Sequence, residues 1–106
     1  MASHSFRIDK FTVPEAARAE FLARVAETHE VLRGCQGFVR DVVYEQYAGP
    51  GAFNLITLVE WADQAAIDGA VKRVKAAQDA SGFDPRETMA RLGITGDIAF
   101  YRELTV

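Results

Sequence analysis

The stretch Ala52–Ala70, AFNLITLVEWADQAAIDGA, constrains this chain more than any other. It reads as a strand that runs into Trp61, a short turn, and a helix that opens at Asp63. Alternate residues of an extended strand share a face. Phe53, Leu55, Thr57, Val59 and Trp61 therefore lie on one side, and Asn54, Ile56, Leu58 and Glu60 on the other. Both sides are mostly apolar. A strand half in water would show apolar residues on one side only, so both sides of this strand are expected to be covered.

The rest of the chain supplies partners for it. Ser5–Phe11 reads as a first strand, with Phe6 and Ile8 on one face and Arg7, Asp9 and Phe11 on the other. Thr12 is expected to cap the helix that follows, with Pro14 in its first turn. Phe21, Leu22, Val25, His29 and Leu32 then form a stripe at helical spacing, and Gly34 supplies a stop. Gly37–Tyr47 reads as a second strand, with Phe38, Val42 and Tyr44 on one side and Val39, Val43 and Tyr47 on the other. Ala48-Gly49-Pro50-Gly51 reads as a hairpin loop. After Asp63, the residues Ile67, Ala70, Val71, Val74 and Ala77 make a second helical stripe that ends near Gly82. Asp84-Pro85 opens a third, short helix that Gly93 closes. Ile94–Leu104 reads as the last strand.

The order βαββα(α)β, in a single domain spanning residues 1–106, predicts an α+β fold of ferredoxin-like type. That fold is a four-stranded antiparallel sheet with helices on one face. If Phe6, Ile8, Val59 and Phe100 face the helices, the opposite face carries Val39, Val43, Ile56, Leu58, Ala99 and Tyr101 inside a charged rim. An apolar patch of that kind predicts a homodimer joined through the sheet faces.

Charge and composition exclude several classes. The formal net charge is -3, from 12 basic and 15 acidic residues, with no run of Lys and Arg. Nucleic acid is not an expected partner. Cys35 is the only cysteine, so no internal disulfide forms, which fits a reducing compartment. No apolar run approaches the roughly 20 residues of a membrane span. The start, MASHSFRIDKF, lacks the basic and apolar regions of a signal peptide. The expectation is a soluble, cytoplasmic protein with no membrane partner.

Four short motifs occur in a fixed order. FTVPE leads from the first strand into the first helix, and Leu32-Arg33-Gly34 ends that helix. Gly37-Phe38 opens the second strand, and Val59-Glu60-Trp61 is followed by Asp63, Ala65 and Ala66. In these features the chain resembles the antibiotic biosynthesis monooxygenase (ABM) superfamily of dimeric α+β barrels. The resemblance implies a barrel built from two copies and a pocket bordered by Trp61. Its members include cofactor-independent quinol or anthrone oxygenases and haem-degrading enzymes. Members commonly carry a histidine nine or ten residues after the tryptophan; here Ala70 and Val71 stand there. The haem-degrading branch needs that histidine as iron ligand, and an asparagine on the first strand that SFRIDKF lacks. Where anthrone-type oxygenases have an asparagine four residues before the tryptophan, this chain has Thr57.

His29 is the candidate general base, because a neutral imidazole takes up a proton near pH 6.5. The alternative is a histidine at the edge of the stripe, bonded to a backbone carbonyl or water. Thr57 and Tyr44 are candidates to orient a substrate, and Trp61, Phe21 and Val25 to wall it in. Cys35 reads as an ordinary turn cysteine. His4, His29 and Cys35 lack metal-ligand spacing, so neither a metal nor a cofactor is expected. The reading is a cofactor-independent monooxygenase acting on a small aromatic ligand, a phenol, quinol or anthrone. The alternative is a non-catalytic, dimeric binding or accessory protein of the same fold. Oxygen uptake with a panel of such compounds discriminates the two.

Overall fold

The computed structural model describes residues 3–106. The chain forms β1 (Ser5–Thr12), a 3-10 turn (Glu15–Ala17), α1 (Arg18–Arg33), β2 (Phe38–Glu45), β3 (Leu55–Trp61), α2 (Gln64–Ser81), α3 (Pro85–Leu92) and β4 (Thr95–Tyr101). The strands make one four-stranded sheet in the order β2-β3-β1-β4, and all three pairings are antiparallel. This is the expected α+β, ferredoxin-like arrangement.

The helix ends follow the local chemistry. Asp63 accepts a hydrogen bond from the Ala66 amide at 2.9 Å and so caps α2. Asp84 accepts from the amides of Arg86 and Glu87, with Pro85 at the start of α3. Both helices end on a left-handed glycine, Gly82 and Gly93. Thr12 does not cap the first helix. It is the last residue of β1, and its hydroxyl donates to the Ala52 carbonyl at 2.8 Å. The turn before α1 has no side-chain cap; instead the Asn54 amide side chain bridges the backbone N–H and C=O of Val13.

The register of β1 overturns one expectation. Ser5 pairs with Trp61, Arg7 with Val59 and Asp9 with Thr57. Arg7, Asp9 and Phe11 therefore share the helix-covered face with Trp61, and Phe6 and Ile8 lie on the outer face with Leu58 and Glu60. Phe11 fixes this phase. It is buried against Phe21 of α1, with ring centroids 4.8 Å apart, and a residue two or four places away must point the same way. In β2 a bulge between Phe38 and Arg40 shifts the alternation. Phe38 packs edge-on against Trp61, while Val42 and Tyr44 pair with Leu58 and Ile56 on the outer face. Val43, expected on the outer face, pairs with Thr57 and belongs to the inner one. A bulge adds one residue to one strand, so every side chain beyond it changes sides.

The core is split in two. Phe11, Val13, Ala17, Phe21, Leu55 and Ile94 form one cluster. Val59, Trp61, Ile67 and Ala70 form the other. Along β3 the clusters are separated by Thr57, and along α1 by His29, while Val25 packs against the first cluster. That gap holds the site.

Gly37 joins the second cluster to the sheet. Its φ is +84°, and a Cβ there would stand 2.3 Å from the Ala66 Cβ. Its carbonyl accepts from the Ala62 amide at 2.8 Å, so the start of β2 lies directly on the turn into α2. Gly37→Ala should cost more than about 2 kcal/mol, from the left-handed backbone and the clash together. A thermal melt should fall by roughly 8 °C or more; an unchanged midpoint would refute this account of the contact.

Candidate functional site

The gap between the two clusters is a cavity of about 520 Å³. Its floor is the inner face of β1, β3 and β4, and its roof is α1, α2 and α3. The wall is predominantly apolar, with Asp9, His29 and Thr57 among the polar groups set in it, which is the usual character of a small-molecule site. Five of the six candidate residues meet here: His29, Trp61, Thr57, Phe21 and Val25 all line it. Tyr44 does not. The bulge turns it to the outer face, where it is 49% exposed.

His29 is 6% exposed and is brought to the cavity by the spacing of α1. Phe21, Val25 and His29 stand one turn apart on one helix face. Its Nδ1 lies 2.7 Å from Oδ2 of Asp41 on β2. A carboxylate only accepts, so Nδ1 carries the imidazole proton and Nε2 is left as the basic nitrogen. Asp41 is held in turn by Arg33, whose guanidinium donates to both oxygens, at 2.9 and 3.4 Å. The three groups form a chain, Arg33 to Asp41 to His29, that leads from the surface to the cavity wall. The partner of His29 is thus a carboxylate rather than a backbone carbonyl or water.

Burial lowers the pKa of His29, and this outweighs the charge and hydrogen bond of Asp41, which raise it. Burial pushes the Asp41 carboxyl up, but Arg33 and His29 together bring it below the usual carboxylate value. The imidazole is therefore neutral and able to accept a proton at neutral pH, and its partner is ionised.

A second polar pair faces the cavity. Arg7 donates through Nε to both oxygens of Asp9, at 3.0 and 3.2 Å, and its guanidinium lies 5.8 Å from the centre of the Phe100 ring. Burial raises the pKa of Asp9 despite this partner. Sequence reading missed Arg7, Asp9 and Asp41 as site residues. The first two were legible in one signal: they alternate in phase with Phe11, an aromatic that has to be buried. Asp41 had no such signal, because the bulge sets its direction.

Stability should carry the mark of His29. The unfolded imidazole binds a proton at a higher pH than the folded one. Between the two values the unfolded state holds more protons, so stability rises with pH there. The contribution is complete above about pH 6.5 and is lost as the pH falls toward the folded value. Melts between about pH 5 and 8 should show a declining midpoint on the acid side. The decline should be shallower in His29→Gln; an equal decline would assign it to other groups.

Comparison with known proteins agrees with this architecture. No curated protein sequence matches the chain. Among solved structures, a protein from Shewanella loihica superposes with a TM-score of 0.75 at 17% identity, over 100% of this chain and 99% of that one. A variant of SnoaB, a cofactor-independent oxygenase from Streptomyces nogalater, gives 0.70 at 25% identity, over 99% and 97%. The heme-degrading protein Rv3592 from Mycobacterium tuberculosis gives 0.63 at 14% identity, over 100% and 97%. Residues 6–79 match the antibiotic biosynthesis monooxygenase family, a span that takes in β3, the His29 helix and all but the first residue of β1, and the chain belongs to that family.

Proposed function

We propose that this protein is a cofactor-independent monooxygenase of a small aromatic substrate, a phenol, quinol or anthrone. The observation that carries the reading is an imidazole on the wall of an apolar cavity, held 2.7 Å from a partly buried carboxylate. Family membership and the likeness to a cofactor-independent oxygenase support it.

The chemistry follows from what such a site offers. The ring system lies in the cavity against Trp61, Phe21 and Val25, with Thr57 near its polar edge. Nε2 of His29 takes the acidic proton of the substrate, and the imidazolium is stabilised by Asp41. The resulting anion is electron-rich and passes an electron to molecular oxygen. The two radicals combine into a carbon-bound peroxide, which takes the proton back from His29. Loss of the remaining C–H proton and cleavage of the O–O bond give a carbonyl and water. One oxygen atom enters the substrate and the other leaves as water, and the substrate supplies all four electrons. The protein contributes a dry cavity, orientation and a base.

Haem fits this cavity poorly. The positions of α2 that face it include Ile67, Ala70, Val71 and Val74, and none carries an atom that ligates iron.

Rates should respond to the pair. His29→Ala should lower oxygen consumption by about 10²–10⁴-fold, the usual loss for a general base, with the melt still cooperative. Asp41→Asn should also lower it, because an amide can present a donor to Nδ1 and invert the tautomer. Near-wild-type turnover in His29→Ala would remove the base from the mechanism. No oxygen uptake with any phenol, quinol or anthrone would favour a binding protein instead.

The same reading includes a homodimer through the outer sheet face. Ile8, Val42, Ile56 and Leu58 form its apolar centre, with Tyr44 and Tyr101 exposed beside them. Ile56→Asp would bury an unpaired charge in that contact. Sedimentation should give a dimer for the wild type and a monomer for the variant; a monomeric wild type at micromolar concentration would refute the interface.

A further inference from the structure

The chemistry above leaves one partly buried acid in the cavity without a task. Asp9 lines the wall, and its side chain is 14% exposed. Arg7 donates to it through Nε at 3.0 and 3.2 Å, so the carboxylate is held in one orientation. The register of the sheet gives its place. Asp41, Val59 and Arg7 stand in one row across β2, β3 and β1, and Val43, Thr57 and Asp9 stand in the next. Neighbouring strands lie about 4.8 Å apart, so the strands of Asp41 and Asp9 are separated by about 10 Å, with Thr57 and Val59 between them. His29 is tied to Asp41 at 2.7 Å and belongs to the β2 side of that strip. Asp9 belongs to the β1 side. The two groups are near enough for the charge of each to act on the other. A flat ring standing on Thr57 and Val59 has one proton acceptor on each face.

We infer that Asp9 is a second catalytic base, which removes the last C–H proton from the ring carbon after oxygen has added to it. This rests on the reading of the site as an oxygenase with His29 as its first base. The requirement is stereochemical. The peroxide takes its proton from His29, so it stands on the His29 face of the ring. The carbon that bears it is tetrahedral, and its remaining hydrogen points to the opposite face, away from His29 and toward Asp9. A carboxylate oxygen of Asp9 takes that proton. The C–H electron pair becomes the second bond of the carbonyl, the O–O bond breaks, and the outer oxygen leaves as hydroxide. The hydroxide takes the proton from Asp9 and departs as water, so both bases end as they began. Over the cycle the substrate loses four electrons and molecular oxygen gains them. Burial raises the pKa of Asp9, which makes its carboxylate a stronger base than an exposed one, and the Arg7 guanidinium favours its ionised form.

Single turnover with protein in excess separates the two proton transfers. Oxygen uptake reads the first, and quinone absorbance reads the second. The probes are anthrone and 1-naphthol, each of which has one ring carbon that becomes a carbonyl. In the wild type the two signals should rise together, with one quinone formed for each oxygen consumed. In Asp9→Asn, uptake should stay within about threefold of the wild type while quinone formation slows by about 10²–10⁴-fold, the usual loss for a base. An organic hydroperoxide should then accumulate in acid-quenched samples. His29→Ala, by contrast, should lose both signals together. Should Asp9→Asn lack a cooperative melt because Arg7 is left unmatched, the double variant Arg7→Gln, Asp9→Asn removes both charges and should show the same split. Equal loss of uptake and quinone, or quinone formation at the wild-type rate, would overturn the role of Asp9 and leave the oxygenase standing. No uptake by the wild type with either probe would overturn the oxygenase reading and this inference with it.

Discussion

The sheet of this protein carries polar residues on its covered side, and each of them has to be matched. Arg7 is opposed by Asp9, and His29 by Asp41, which Arg33 holds from outside. Among the described residues no buried side-chain nitrogen or oxygen lacks a partner. An unmatched buried charge is costly enough to consume a large part of a small domain's stability. The register that sets Ser5 opposite Trp61 is therefore bound to the pairing of these groups, because a slip by one residue would send Arg7 and Asp9 outward and Phe6 and Ile8 inward. The slipped sheet would also expose Phe11, which holds the larger cluster together.

Matching these groups prevents the core from closing. Apolar packing is continuous from Phe11 to Leu55 and again from Val59 to Ile67, but Thr57, Asp9 and His29 stand between. Side chains that must keep hydrogen-bond partners cannot interdigitate as closely as aliphatic ones. The outcome is two small cores with a cavity between them. Stability and site are thus drawn from the same residues. The helices that roof the cavity are anchored at their ends, by Asp63 and Asp84 as caps and by Gly37 against Ala66, and not by filling the middle.

How much of this the sequence revealed depends on how local the signal was. The helix ends were legible, since Asp63, Gly82, Asp84-Pro85 and Gly93 act on their own neighbours. His29, Phe21 and Val25 were legible as one face, because helical spacing needs no partner to define it. The face of β1 was not. It has apolar residues on both sides, Phe6 and Ile8 against Phe11, and only pairing with β3 decides which side is covered. Tyr44 and Asp41 were hidden for a sharper reason. They sit beyond the bulge at Phe38 and Arg40, where counting by twos gives the wrong side. A bulge depends on what the neighbouring strand requires, here the edge-on seat of Phe38 against Trp61, and that is not written in β2 itself.

The bulge has a consequence for chemistry. Without it, Asp41 would face outward with Val42's present neighbours, and the imidazole on α1 would be buried with no acceptor for its N–H. Family members commonly present a histidine from the helix after the tryptophan, but here that helix offers Ala70 and Val71. The polar group reaches the cavity from the opposite wall, from α1, with its carboxylate supplied across the fold from β2. One extra residue in an edge strand and one histidine on a helical stripe are enough to set a base in an otherwise apolar cavity. The scaffold requires only that whichever group enters the gap brings its own partner, so the same fold accommodates unlike chemistries.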